Sequence, residues 1–287
     1  MSASLLARHK GLAVFLLISF GATWGYQFFA RLVLDWSLVN PLAQLPMAFL
    51  PAIAAFVVRR WVTREGFADA GLKPRLRKAW WHYLVAWLAP LAIAVATCVV
   101  AAATGLWTPD LSALDGFGIP WWAVILGLQA LVIVLIPIYW GEEFGWTSYL
   151  RLRIYRGRPV AATVATGLIW AVWHYPLAFL GYAEYSNVAL GLLVWTASFL
   201  LQEIMLSWLR IRSGTIWTAS LAHAGNNMVL SLLTATLLTA GEGGELDAIV
   251  VTLLMLVPMG ALCLWIVLSG QLSARKEASA RLTESRV

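Results

Sequence analysis

The 287-residue chain is 61% hydrophobic, only 12% charged, and carries a formal charge of +6. Soluble domains hold roughly 25% charged residues, so two soluble domains, which the length alone would allow, are set aside for one integral membrane domain over residues 1–287. The mean hydropathy of +0.78 agrees, and a pI near 9.6 points to anionic lipid headgroups as partners, with no nucleic acid among them.

A membrane-crossing helix needs roughly 20 apolar residues. Runs bounded by charge, Pro and Gly predict eight, at about 11–30, 42–58, 80–104, 120–141, 160–181, 188–209, 215–239 and 248–271. The expected fold is therefore all-α, a polytopic bundle of about eight transmembrane helices. The first run exceeds a signal-peptide core of about 7–15 residues and lacks a small-residue cleavage site, so it reads as a retained span. Several Trp stand at run ends (Trp36, Trp80, Trp81, Trp121, Trp122 and Trp140), where amphipathic rings sit at the headgroup level.

Charge partitions sharply between alternate loops. Arg8 and Lys10, then Arg59 through Lys78, Arg151 through Arg158, Arg210 and Arg212, and the tail Arg275, Lys276, Arg281 and Arg286 hold 19 of the 20 basic residues. The other set holds Arg31 with Asp35, Asp110, Asp115, Glu184, Glu242, Glu245 and Asp247. By the positive-inside rule both termini face the cytoplasm, N-in and C-in. The expected location is the inner membrane of a bacterium. Cys98 and Cys263 lie inside apolar runs without metal-ligand spacing and read as small buried hydrophobes.

The polar residues inside these runs are few. The fourth ends in Trp140-Gly141-Glu142-Glu143-Phe144-Gly145-Trp146-Thr147, the fifth holds Trp170-Ala-Val-Trp-His174-Tyr-Pro176, and the seventh holds His223-Ala-Gly225-Asn226-Asn227. A carboxylate near the bilayer centre costs from about 2.5 kcal/mol to well above 10, so it is paired, neutralised or functional. Consecutive helical residues point about 100° apart, so Glu142 and Glu143 must serve different partners. Pro137 and Gly141 favour a kink or a close backbone approach there. His223 and Asn227 are i and i+4, on one face, and Gly225 permits close helix packing. Glu203, seven residues before Arg210, reads as a snorkelling or paired group near the inner interface.

A Glu–His pair can hold a water and take its proton as it attacks a carbonyl. His and Asn can donate to the developing oxyanion, each donor being worth roughly 3–4 kcal/mol in known cases. Alternatively Glu142, His174 and His223 could hold Zn²⁺, which would activate the water itself. Buried Glu and His also build proton relays, so a proton-coupled transporter is a further alternative, though no repeated half with paired broken helices is present. Other intramembrane protease designs fit poorly. The chain has no His-Glu-x-x-His, no Gly-x-Ser-Gly, and no Asp within a run.

In order on separate runs, Glu142-Glu143-x-x-x-Thr147, Trp170-x-x-x-His174 and His223-x-x-x-Asn227 resemble the three motifs of the CPBP intramembrane metalloproteases. That family includes the type 2 CAAX prenyl endopeptidases and bacterial Abi-like proteins, and the resemblance covers about residues 119–235. It implies an intramembrane endopeptidase cutting a membrane-associated or lipidated substrate near the cytoplasmic face. Glu142 matches the general base acting with His174, Glu143 a supporting carboxylate, and His223 and Asn227 the oxyanion donors. Thr147 stands where the family commonly has Arg, and Trp170 where it has Phe. Arg151, one turn further, is then the cation expected to reach back. A family member without catalysis would be a membrane scaffold or a bacteriocin-immunity-type interaction protein.

Overall fold

A computed structural model describes residues 3–239 and 246–273. The basic tail (Arg275, Lys276, Arg281, Arg286), Glu242 and Glu245 lie outside the described residues, as does the Arg8 side chain. Every described element is helical. Helix α1 is Ala3–Leu32 and α2 is Pro41–Val57, opened by an Asn40 side-chain cap and continued by a π turn at Val58–Val62. Helix α3 is Leu76–Ala103, and α4 is Trp121–Gly145, which runs on through a π turn at Trp146–Leu150 into a last turn at Arg151–Arg153. Helix α5 is Pro159–His174, tightening into a 3₁₀ turn at Tyr175–Phe179, where Pro176 cannot continue the α pattern. Helix α6 is Val188–Ser213, stopped by Gly214 in the left-handed region. Helix α7 is Ile216–Gly225, followed by a π turn at Asn226–Ser231 and by α8, Leu232–Thr239. Helix α9, Ala248–Leu268, closes the described bundle.

Seven of these segments are long and apolar enough to cross a membrane: 9–32, 41–62, 76–103, 121–153, 159–179, 188–213 and 248–268. The predicted span over 215–239 is helical from Ile216 to Thr239 but is not among them. Its His223, Asn226, Asn227 and several hydroxyls dilute its apolarity, and it is the segment that carries a third of the polar constellation. The predicted exit of α4 near residue 141 is also too early, because the helix keeps going to Arg153.

Loops that share a sign in the sequence share an end of the bundle. Arg153 reaches Glu65, Arg210 reaches the Asp69 carbonyl, and Ile216 N–H bonds the Gly71 carbonyl. At the opposite end Asp247 bonds Ser186, and Leu246 N–H bonds the Leu238 carbonyl. Trp36, Trp80, Trp81, Trp121 and Trp122 project outward from segment ends. Trp140 does not: it stacks between Phe144 and Trp217.

Small residues set the spacing at the centre. Helix α2 packs extensively along α4, and a Cβ on Gly141 would lie 2.5 Å from the Ala48 carbonyl oxygen, while one on Gly145 would strike Pro51. These two glycines are four apart, the spacing that lets membrane helices approach backbone to backbone. On the other side a Cβ on Gly225 would lie 2.6 Å from the Pro90 ring of α3. The two glutamates sit between the two glycine contacts, so α2 holds that turn of α4 at a fixed depth and rotation.

Candidate active site

Glu142 and Glu143 diverge as their spacing requires. Glu142 turns toward α5, where its Oε2 accepts a 2.8 Å hydrogen bond from the Trp170 indole N–H. Glu143 turns toward α7, where its Oε1 meets His223 Nδ1 at 2.9 Å. Glu143 is fully buried, whereas Glu142 keeps 7% of its surface. Of the two carboxylates, only Glu142 retains any accessible surface.

The histidines are oriented by what their Nδ1 atoms touch. His174 Nδ1 lies 3.0 Å from the Trp170 backbone carbonyl. A carbonyl only accepts, so Nδ1 carries the proton and Nε2 keeps its lone pair in the neutral ring. With Glu143 ionised, His223 Nδ1–H likewise donates, which aims Nε2 away from the carboxylate. Trp170 is common to both rings, edge-on to His223 at 5.0 Å and to His174 at 5.7 Å between centroids. Tyr139 covers His223 at 4.7 Å and Phe199 stacks on His174 at 4.3 Å. Packing of this kind holds an imidazole to one rotamer.

Asn227, half-buried, faces the Tyr139 side chain one turn from His223. All five residues singled out from the sequence thus line one region where α4, α5 and α7 meet. Trp170 was expected only as an aromatic replacement for Phe, yet its N–H binds the carboxylate, which a phenyl ring cannot do.

Thr147 spends its hydroxyl on the Glu143 backbone carbonyl, at 3.0 Å, and brings no charge to the carboxylate. Arg151 is buried, and its charge acts on Glu203. The snorkelling expected of Glu203 is overturned. It is fully buried, accepts a 2.6 Å bond from Ser207 Oγ, and lies within electrostatic reach of Glu143. Helix α5 approaches closely enough here that a Cβ on Gly167 would sit 3.1 Å from the Glu203 Cβ. The i, i+4 pair Glu203–Ser207 was visible in the sequence, but its depth was not.

Among the described residues no three His, Cys, Asp or Glu side chains gather as a group able to hold a metal ion. Cys263 donates to the Leu201 carbonyl at 3.2 Å, and Cys98 packs among apolar residues, both as free thiols.

No curated protein matches the chain. Residues 120–229 match the family model described as Type II CAAX prenyl endopeptidase Rce1-like. The matched stretch contains all three motif segments and the helices that present them, within a bundle that has seven helices long and apolar enough to cross a membrane.

Proposed function

We propose that this protein is an intramembrane endopeptidase in which Glu142 and His174 activate a water and His223 and Asn227 hold the oxyanion. The observation that carries the reading is the divided use of the two adjacent carboxylates. Glu142 is held by Trp170 and partly accessible, while Glu143 is sealed against His223. One carboxylate can therefore act on substrate while the other sets the charge and orientation of a histidine.

The reaction follows from the free atoms. A water held between Glu142 and His174 Nε2 gives its proton to Glu142 as its oxygen attacks the peptide carbonyl carbon. The carbonyl oxygen becomes an anion, which His223 Nε2–H and Asn227 Nδ2–H stabilise. For His223 to donate from Nε2 while Nδ1–H is bound to Glu143, the ring must be an imidazolium, and Glu143 is its counter-ion. Glu142 then passes the proton to the leaving nitrogen as the C–N bond breaks.

The partition of basic loops supports a reading in which the arginine-rich end of the bundle faces the cytoplasm. The substrate is a membrane-associated or lipidated polypeptide. The test compares protein termini in membranes from cells expressing wild type and Glu142→Gln at equal levels. Termini present only with the wild type establish proteolysis and name the substrate. Identical profiles from two folded proteins would discard the reading in favour of a non-catalytic scaffold.

A further inference from the structure

Five residues beyond Glu143, Ser148 is gripped from two sides by buried arginines. Arg59, in the π turn that ends α2, donates from Nη2 to the Ser148 carbonyl at 2.6 Å. Arg210, near the end of α6, places Nε 3.3 Å from Ser148 Oγ. Both arginines are anchored in the 63–75 loop: Arg59 Nη1 bonds Asp69 Oδ1 at 2.7 Å and the Gly66 carbonyl at 2.8 Å, and Arg210 Nη2 bonds the Asp69 carbonyl at 2.9 Å. Gly71, at φ +67°, leaves room for the Arg210 guanidinium, which a Cβ would meet at 2.5 Å. Arg59 also lies over the rings of Phe144 and Tyr149, at 5.9 and 5.6 Å. It therefore touches α4 both next to Glu143 and in the turn beyond.

That turn is where α4 widens from α to π geometry. A π turn changes the rotation of everything before it relative to everything after it, and such turns recur at functional sites. Upstream, Gly141 and Gly145 fix α4 against α2. Downstream, Arg59 fixes it again, from the same α2. We propose that Arg59, seated by Asp69, is a positioning residue for Glu142 and Glu143, setting the rotation of their turn so that one meets Trp170 and the other His223. This inference rests on the endopeptidase reading. It adds that the loop on the arginine-rich face, although it supplies no group to the substrate, is part of the machinery.

The experiment uses the full-length protein in lipid nanodiscs and a peptide spanning a cleavage site found by the terminus comparison. Asp69→Asn, Arg59→Lys, the double variant and Glu142→Gln are measured for kcat, KM and the fraction folded. A misplacement of about 1 Å can cost on the order of a hundredfold, so kcat per folded molecule is expected to fall roughly ten- to a hundredfold with KM unchanged. The double variant is expected to be no worse than the poorer single one, because the two residues act as a unit. A merely structural clasp would instead lower the folded fraction and leave kcat per folded molecule at the wild-type value, and that result overturns the proposal. Should Arg59→Lys not fold, Asp69→Asn, on a loop side chain 40% exposed, decides alone. Cleavage by Glu142→Gln at the wild-type rate would remove the endopeptidase reading itself, whatever the Asp69 variant does.

Discussion

The Glu143–His223 contact makes the sharpest claim at the scale of single residues. A carboxylate with no exposed surface, bound through Oε1 and with no hydrogen-bond partner on Oε2, is costly unless its charge is used. If it balances an imidazolium on His223, Glu143→Gln keeps the shape and a hydrogen bond but removes the counter-ion. We expect that variant to fold and to lose about 10²–10³ in kcat, the range seen when an oxyanion donor is lost, with KM little changed. A stopped assay on purified protein checks this, and a Glu143→Gln enzyme at full rate would rule out the counter-ion role. A related expectation concerns metal. Because the proposed route has Glu142 itself take the proton of the attacking water, prolonged treatment with a zinc chelator should leave cleavage unchanged. Loss of activity on chelation that returns on adding Zn²⁺ would show that the ligands regroup around an ion. The sequence displayed these side chains because each interrupts an apolar run. It did not display Trp170 as a hydrogen-bond donor or Glu203 as a buried neighbour, since both depend on how α5 and α6 turn toward α4.

At the scale of elements, the helices were readable because the membrane imposes one rule on each of them. An apolar run ends where charge, Pro or Gly begins, and predicted and observed segments agree within a few residues over most of the chain. The exception is instructive. The apolar pattern ends α4 near residue 141 and leaves Arg151 and Arg153 to the loop beyond, yet the helix runs on to Arg153, both arginines are buried, and Arg153 pairs with Glu65 and Asp69 from a loop more than 80 positions away. Neutralisation by distant residues leaves no mark on the local pattern. The π turns at 58–62, 146–150 and 226–231 were invisible for the same reason, because tertiary contacts select them. Gly141 and Gly145 are the element-level features most open to test. The atoms nearest a methyl group at Gly145 belong to the Pro51 backbone and ring, neither of which can yield like a flexible side chain. Gly145→Ala should destabilise by about 1–3 kcal/mol, the usual range for overpacking, and should reduce activity further by shifting the glutamates. A thermal midpoint equal to wild type would mean that α2 and α4 do not approach this closely.

For the whole molecule, the loop clasp links three helices at one face through charges that water partly reaches. Arg59 is fully buried, whereas Asp69 and Glu65 keep 40% and 32% of their side-chain surface. Burial by itself would raise the Asp69 pKa. The guanidinium groups of Arg153 and Arg59, with the hydrogen bonds they donate, outweigh it and hold the carboxyl below its ordinary value. The sign follows from linkage. A carboxylate whose pKa is lower in the folded state contributes stability that is complete above its unfolded value, near about 4, and that is lost as pH falls through the folded value. Asp69 is more than a third exposed, so solvent screens part of the pair and its contribution is smaller than the buried arginine alone would suggest. Asp69→Asn should therefore be less stable than wild type at neutral pH, and the gap should close as pH drops below about 4. Subtracting the two melting curves in nanodiscs removes the titration of carboxylates common to both proteins. A gap that stays constant from pH 7 to pH 3 would show that Asp69 holds Arg59 and Arg153 through shape and hydrogen bonds alone. A gap that closes would identify charge at this face as what fastens the 63–75 loop to the end of α4.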